Sequence, residues 1–178
     1  MLQKNNKWSV LKVFFEDPSP NARFQLREIS KKIHLAPISV KNYLTELDKE
    51  DLIVKIKHRA HNYPLYSANR ENELFRLLKK INTILCLRNS GLLAYINDLC
   101  MPEVIILFGS AAKGEDILES DIDLFIQCKE KKMMLKKYEQ RCKRNINLFF
   151  AEDFDKLSKE FKNNIINGVI LKGYLKVF

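Results

Sequence analysis

The chain has 178 residues, 46% of them apolar and 30% charged, with a formal net charge of +9. That composition is ordinary for a soluble globular protein and allows one large domain or two small ones, each with its own core. It argues against a membrane span, because no apolar run approaches the roughly 20 residues required, and Met1-Leu2-Gln3-Lys4-Asn5 does not lead into a signal-peptide core. No membrane partner is expected, and a cytoplasmic location is the default. Cys86, Cys100, Cys128 and Cys142 are widely spaced with no Cys-x-x-Cys pair, which predicts reduced, mostly buried thiols rather than a zinc site or a disulfide framework.

The charge is unevenly divided. Residues 1–70 hold 13 Lys and Arg against 7 Asp and Glu, and the remainder holds 18 against 15. The excess at the N-terminal end suggests a polyanionic partner for that half. There, Trp8, Leu11, Phe14 and Phe15 lie at helical spacing, predicting an amphipathic helix over 7–16. Asp17-Pro18-Ser19-Pro20-Asn21 ends it in a turn. Leu26, Ile29 and Ile33 make a second short helical face, and Pro37 suits the first turn of a third helix. In that helix Val40, Tyr43, Leu44 and Leu47 point inward, leaving Ser39, Lys41, Asn42 and Thr45 to face out. Ile53 to Lys57 reads as a strand, His58 to Asn62 as a turn, and Tyr63 to Ala68 as a second strand.

Three helices followed by a hairpin, with Leu26-Arg27-Glu28-Ile29-Ser30, Ser39-Val40-Lys41-Asn42-Tyr43-Leu44 and Leu47-Asp48-Lys49-Glu50-Asp51-Leu52-Ile53 in order, resemble the winged helix-turn-helix family over residues 7–69. Asp51 stands where that family often has Gly, and Asp tolerates the left-handed conformation such a turn needs. The resemblance implies DNA binding, with Ser39, Lys41, Asn42 and Thr45 of the third helix towards the major groove. Lys55, Lys57, His58, Arg59 and His61 of the wing would then face phosphates or the minor groove. Use of the same fold for protein contact alone is the competing reading.

From Arg70 to Leu99 the pattern is helical. Leu74, Leu77, Leu78, Ile81, Ile84, Leu85 and Arg88 trace one face, Asn89-Ser90-Gly91 interrupts it, and Leu92 to Leu99 continue it. This predicts connecting helices over 70–100, whose leucines suit either a homodimer or packing between domains.

Val104 to Phe108 then reads as a buried strand that stops at Gly109-Ser110, and Asp121 to Ile126 as a second strand. Alternation puts Asp121 and Asp123 on one face, about 7 Å apart, where they can share a divalent cation. Gly109 lets the backbone approach a ligand, and Ser110 offers a hydroxyl and an N–H where a helix is expected to begin, which together suit a phosphate. Glu115, Asp116 and Glu119 are expected to face solvent. Lys129 to Lys143 reads as a Lys-rich helix with Met133, Met134 and Tyr138 inward, Asn145 to Phe150 as a third strand, and Glu152 to Phe161 as a further helix.

Gly109-Ser110, ten residues, then Asp121-x-Asp123, with Lys113-Gly114 and Ser120 beside them, resemble the signature of the DNA polymerase beta-like nucleotidyltransferases. The match is nearest to the minimal nucleotidyltransferases and covers about Glu103 to Phe178, including the closing segment Asn167 to Tyr174. The expected fold is therefore α+β: a winged helix-turn-helix over 1–69 and connecting helices over 70–100, then over 101–178 a small nucleotidyltransferase domain with a short mixed sheet flanked by helices. The resemblance implies that Gly109, Ser110 and Lys113 hold the phosphates of an NTP, ATP first among them, and that Asp121 and Asp123 hold Mg²⁺ or Mn²⁺. Active members usually carry a third carboxylate on the third strand, where this chain has Asn147, which has no charge and cannot act as a base. Two functions follow. One is transfer of a nucleotidyl group to a hydroxyl, with AMP attached to a HEPN-type toxin partner as the specific form and the winged helix repressing the operon of such an antitoxin. The other is a DNA-binding transcriptional regulator whose transferase domain binds nucleotide without fast chemistry.

Overall fold

The computed structural model describes residues 5–57 and 63–177, and its contacts divide the chain into two units, Met1–Lys79 and Lys80–Phe178. The first unit begins with α1 (Asn6–Glu16), capped by the Asn5 side chain, which accepts from Lys7 N–H at 2.9 Å. It continues through β1 (Phe24–Gln25), α2 (Leu26–Ile33), α3 (Pro37–Lys49), β2 (Ile53–Lys57) and β3 (Pro64–Ala68). Pro37 occupies the start of α3, where its missing N–H costs nothing. The sheet order is β1-β3-β2, all antiparallel. The two-residue strand β1 gives no periodic signal of its own; it is made by pairing Phe24 with Tyr66 and Gln25 with Leu65. Asp51 does adopt the left-handed conformation, with φ 57°. His58, Arg59 and His61 lie outside the described residues.

The core of this unit gathers Trp8, Val10, Leu11, Val13, Phe14 and Phe15 of α1 with Phe24, Ile29, Val40, Leu44, Leu47, Ile53 and Tyr66. Edge-on ring pairs Phe14–Phe24 at 5.3 Å and Phe15–Phe75 at 5.2 Å tie α1 to its neighbours. Phe75 belongs to α4 (Glu73–Ser90). The helical face expected through Leu74 and Leu77 is displaced by one residue there: both leucines are exposed, and Phe75 is buried because it closes against Phe15.

The second unit contains the remainder of α4, then α5 (Leu92–Cys100), β4 (Val104–Phe108), α6 (Gly109–Lys113), β5 (Ile122–Gln127), α7 (Lys136–Cys142), β6 (Ile146–Ala151), α8 (Lys159–Ile166) and β7 (Val169–Gly173). Its sheet runs β6-β5-β4-β7, with β5 and β6 parallel and the other pairs antiparallel. Strand β4 is buried along its whole length, as its unbroken apolar run requires of a central strand covered on both faces. One face carries Ile105, Leu107, Ile122, Leu124 and Ile126 against Leu92, Ile96 and Tyr138. The other carries Ile106, Phe108 and Phe125 against Phe154 and Ile165.

Two expected helices are redrawn. The Lys-rich helix is confined to α7, because residues before it take their contacts from α5 instead: Lys131 Nζ donates to Leu99 O at 2.6 Å and Met134 N to Tyr95 Oη at 3.3 Å. Met134 is consequently exposed, whereas Met133 packs on the core. The helix expected over Glu152 to Phe161 is a single 3₁₀ turn, Phe154–Lys156, capped by Asp153, followed by α8, whose N-terminus is fixed by Ser158 Oγ accepting from Phe161 N. The Asp153 carboxyl is held below its usual range by the N–H of Asp155 and by Lys156.

The four cysteines form no disulfide, are half-buried rather than mostly buried, and meet in twos. Cys142 hydrogen-bonds Cys86, which with burial pushes its thiol up, and burial with a hydrogen bond to Cys100 pushes the Cys128 thiol up to about 12. At pH 8 both should alkylate at least about a hundredfold more slowly than a free thiol of pKa about 8.5. Mass-spectrometric mapping of iodoacetamide labelling checks this, and labelling of Cys128 at the free-thiol rate would contradict it.

Candidate active site

Asp123 sits in the middle of the sheet, in register with Phe108 of β4 on one side and Asn147 of β6 on the other. Asp121 lies immediately before β5, two residues away and so on the same side of the strand. The Asn147 amide bridges the pair: its Nδ2 donates to Asp121 Oδ2 and to Asp123 Oδ1, each at 3.1 Å. Both carboxylates therefore converge on one point, and all three side chains are half-buried. Among the described residues no group of three or more His, Cys, Asp or Glu converges as a metal set. What the site offers a divalent cation is two carboxylate oxygens that already reach a common donor, with an amide where a third charge would stand.

Gly109, which opens α6, has φ +71°, and a Cβ there would lie 2.7 Å from Asp123 Oδ2. Only glycine lets this turn press against the carboxylate. Gly109→Ala should cost about 1–2 kcal/mol for the left-handed backbone alone and displace Asp123 as well. Urea unfolding measures the first, and wild-type stability in the variant would refute it. On its open side Gly109 lines a cavity of about 440 Å³ with Lys113, Asn163, Asn164 and Asn167. Beside the carboxylates, Phe108, Phe149 and Phe161 form a ring cluster with centroids 5.3–5.6 Å apart.

The loop between α6 and β5 is pinned by a residue that sequence reasoning passed over. Arg144 donates Nη2 to Asp116 Oδ2 at 2.6 Å and Nε to Ser120 O at 2.7 Å. Asp116, expected in solvent, is 2% exposed. The correction has a simple cause: the guanidinium supplies the counter-charge that lets the carboxylate be buried. Ile117 N–H donates to Ser120 Oγ, and Ile122 N–H to Asn145 O, so the approach to Asp121 is fixed from both β6 and the loop itself. Asp153 and Asp155 pair with Lys156 and Lys162.

In the first unit, Lys41 and Thr45 of α3 and Lys55 of β2 line a groove of about 380 Å³ with Arg27, Tyr63 and Tyr66. Ser39 is half-buried on α3, while Asn42 and Lys57 are exposed outside that groove. Arg27 and Tyr63 carried no signal in the sequence beyond their charge and ring.

Comparison with known families bears on the second unit. Residues 92–174 match the family Polymerase beta, Nucleotidyltransferase. The matched segment runs from the start of α5 to the end of β7 and contains Gly109, Ser110, Asp121, Asp123 and Asn147. Over those residues the second unit is similar to that family. No curated protein and no solved structure matches the chain. In this segment the two carboxylates, the glycine turn and the cavity beside it are contiguous. No helix among the described residues is long and apolar enough to cross a membrane.

Proposed function

We propose that the second unit moves a nucleotidyl group from an NTP held with Mg²⁺ or Mn²⁺ to a hydroxyl acceptor, with ATP as donor: the hydroxyl oxygen bonds to the α-phosphorus, the bond from that phosphorus to the β-phosphate oxygen breaks, and pyrophosphate leaves. The observation that carries this reading is the convergence of Asp121 Oδ2 and Asp123 Oδ1 on one point within 3.1 Å of each. Asp121 and Asp123 would hold the cation, and Asn147, whose amide now donates to both, could offer only its neutral Oδ1 to it. A divalent cation held by Asp121 and Asp123 would supply charge neutralisation at the phosphates. Gly109 brings the backbone up to the carboxylate, and Lys113 lies at the cavity wall within reach of a phosphate. Asn147 cannot take the proton of the acceptor hydroxyl, so that proton leaves to water or to a group the acceptor brings. A protein acceptor of HEPN type, modified with AMP, is the specific form that the resemblance to minimal nucleotidyltransferases supports.

Transfer of label from α-³²P-ATP with Mg²⁺ into a lysate of the source cells tests this. A labelled band that disappears with Asp123→Ala is expected. Label that persists with Asp123→Ala would place the chemistry elsewhere.

A second reading has its own support in Asn147: a regulator that binds nucleotide and no longer transfers it. Both readings share DNA binding by the first unit as a winged helix-turn-helix. The order of its elements, the groove beneath Lys41 and Lys55, and the basic excess of residues 1–70 support that assignment. Lys41→Ala and Lys55→Ala should each reduce the slope of log K against log salt by about 1. Fluorescence anisotropy with duplex DNA at several salt concentrations measures that slope, and an unchanged slope in both variants would remove these lysines from any phosphate contact.

A further inference from the structure

The stretch between β5 and β6, residues 128–145, crosses over to join two parallel strands, and a cysteine stands near each of its ends. Cys128 follows the last residue of β5, and Cys142 is the last residue of α7. Each meets a second cysteine from outside the stretch. Cys128 hydrogen-bonds Cys100, the last residue of α5, and Cys142 hydrogen-bonds Cys86 of α4.

Other contacts fix the same two junctions. At the first, Glu103 N donates to Gln127 O at 3.1 Å and Lys131 Nζ to Leu99 O at 2.6 Å, so the chain on either side of this pair is tied together. At the second, Cys86 Sγ donates to Arg141 O at 3.8 Å, one residue from Cys142, and Arg141 Nη1 donates to Ser90 O at 2.6 Å. Cys100, Cys128 and Cys142 pack on one apolar core. All four thiols are half-buried, so solvent reaches them. Thiols that already touch, on elements already held together, can be bridged with little backbone movement.

The stretch between the junctions is held lightly. Between Cys128 and Cys142 stand six Lys and Arg against two Glu. Its contacts to the core come from Met133, Leu135 and Tyr138. Like charges close in sequence and few apolar contacts mark a segment that opens locally, well short of global unfolding.

We propose that Cys100–Cys128 and Cys86–Cys142 are redox-responsive thiol pairs, which a small disulfide of the glutathione class converts into two bridges that close both ends of the crossover onto α5 and α4. The proposal does not depend on the nucleotide reading. In each pair the Cys100 or Cys86 sulfur gives its proton to solvent and attacks one sulfur of oxidised glutathione. The glutathione S–S bond breaks, and one glutathione leaves as thiolate. The Cys128 or Cys142 sulfur then loses its proton and attacks the mixed disulfide, releasing the second glutathione. The released protons balance the two thiolates, the protein pair is oxidised by two electrons, and one oxidised glutathione becomes two thiols. Cys128 and Cys142 act second because they hold their protons more firmly.

The full native chain is incubated with oxidised glutathione, quenched with acid and mapped by mass spectrometry after digestion. All four thiols should be lost, with Cys100–Cys128 and Cys86–Cys142 as the bridges. Cys128→Ser should still form Cys86–Cys142 and should trap glutathione on Cys100, the sulfur assigned the first attack. Amide hydrogen exchange over residues 129–141 should slow at least about tenfold on oxidation of the wild type, as expected when a local opening is closed off, and recover with dithiothreitol. Thiols that stay free, glutathione left as stable mixed disulfides in the wild type, or bridges joining the cysteines in other pairs would overturn the proposal. So would bridges that leave exchange in this stretch unchanged, because they would then close nothing.

Discussion

Asn147→Asp should raise the rate of nucleotidyl transfer by about 10²–10⁴-fold, the usual worth of a positioned general base. The reason lies in the bridge described above. Asn147 Nδ2 occupies the point on which Asp121 and Asp123 converge, so a carboxylate on the same side chain would stand within reach of both the cation and the acceptor hydroxyl. The same substitution has a price in the absence of cation. Three carboxylates would then share one half-buried site and repel one another. Thermal unfolding at pH 7 should therefore show Asn147→Asp below wild type without Mg²⁺ and restored by it. A variant that neither gains rate nor responds to Mg²⁺ would mean that residue 147 does not face the reacting groups.

Arg144→Ala should destabilise the second unit by about 3–5 kcal/mol, the range for removing one partner of a buried ion pair. Asp116 would remain in a setting where it is 2% exposed, without the guanidinium that now contacts it at 2.6 Å. Ser120 O would lose a donor as well. Urea unfolding followed by far-ultraviolet circular dichroism suits this test, because the one tryptophan, Trp8, lies in the core of the first unit and does not report on the second. Arg144→Met combined with Asp116→Leu should recover most of the loss, since matched apolar groups of similar size replace a buried pair at little cost. If Arg144→Ala costs under about 1 kcal/mol, the pair behaves like a surface ion pair and does not hold the loop.

How much of this was readable beforehand depended on the range of the interactions involved. Strands β4 and β5 and the pairing of Asp121 with Asp123 follow from local alternation and from an apolar run too continuous for an edge strand. Asp51 and Pro37 likewise declared their turns by their own backbone preferences. Strand β1 did not, because two residues become a strand only once Tyr66 and Leu65 are beside them. The burial of Asp116 depends on Arg144, 28 residues away, and nothing near Asp116 in the chain announces it. The helix before α7 was overestimated because its contacts come from Tyr95 and Leu99 rather than from the next turn. The meeting of Cys86 with Cys142 is of the same kind: spacing in the chain says nothing of two helices that lie together. In the site, Gly109 and the carboxylates were legible as types and spacing. That Asn147 touches both carboxylates, and that α8 brings asparagines to the same cavity, belongs to the sheet register and the packing of α8 on β4.

The central claim is that Asp121 and Asp123 together hold a cation-bound nucleotide. Its most direct test is calorimetric titration of ATP with Mg²⁺ into wild type, Asp121→Ala and Asp123→Ala. Saturable binding in the wild type that requires Mg²⁺, and is lost in both variants while they remain folded, is the predicted result. Binding that survives both substitutions, or that ignores Mg²⁺, would contradict the account.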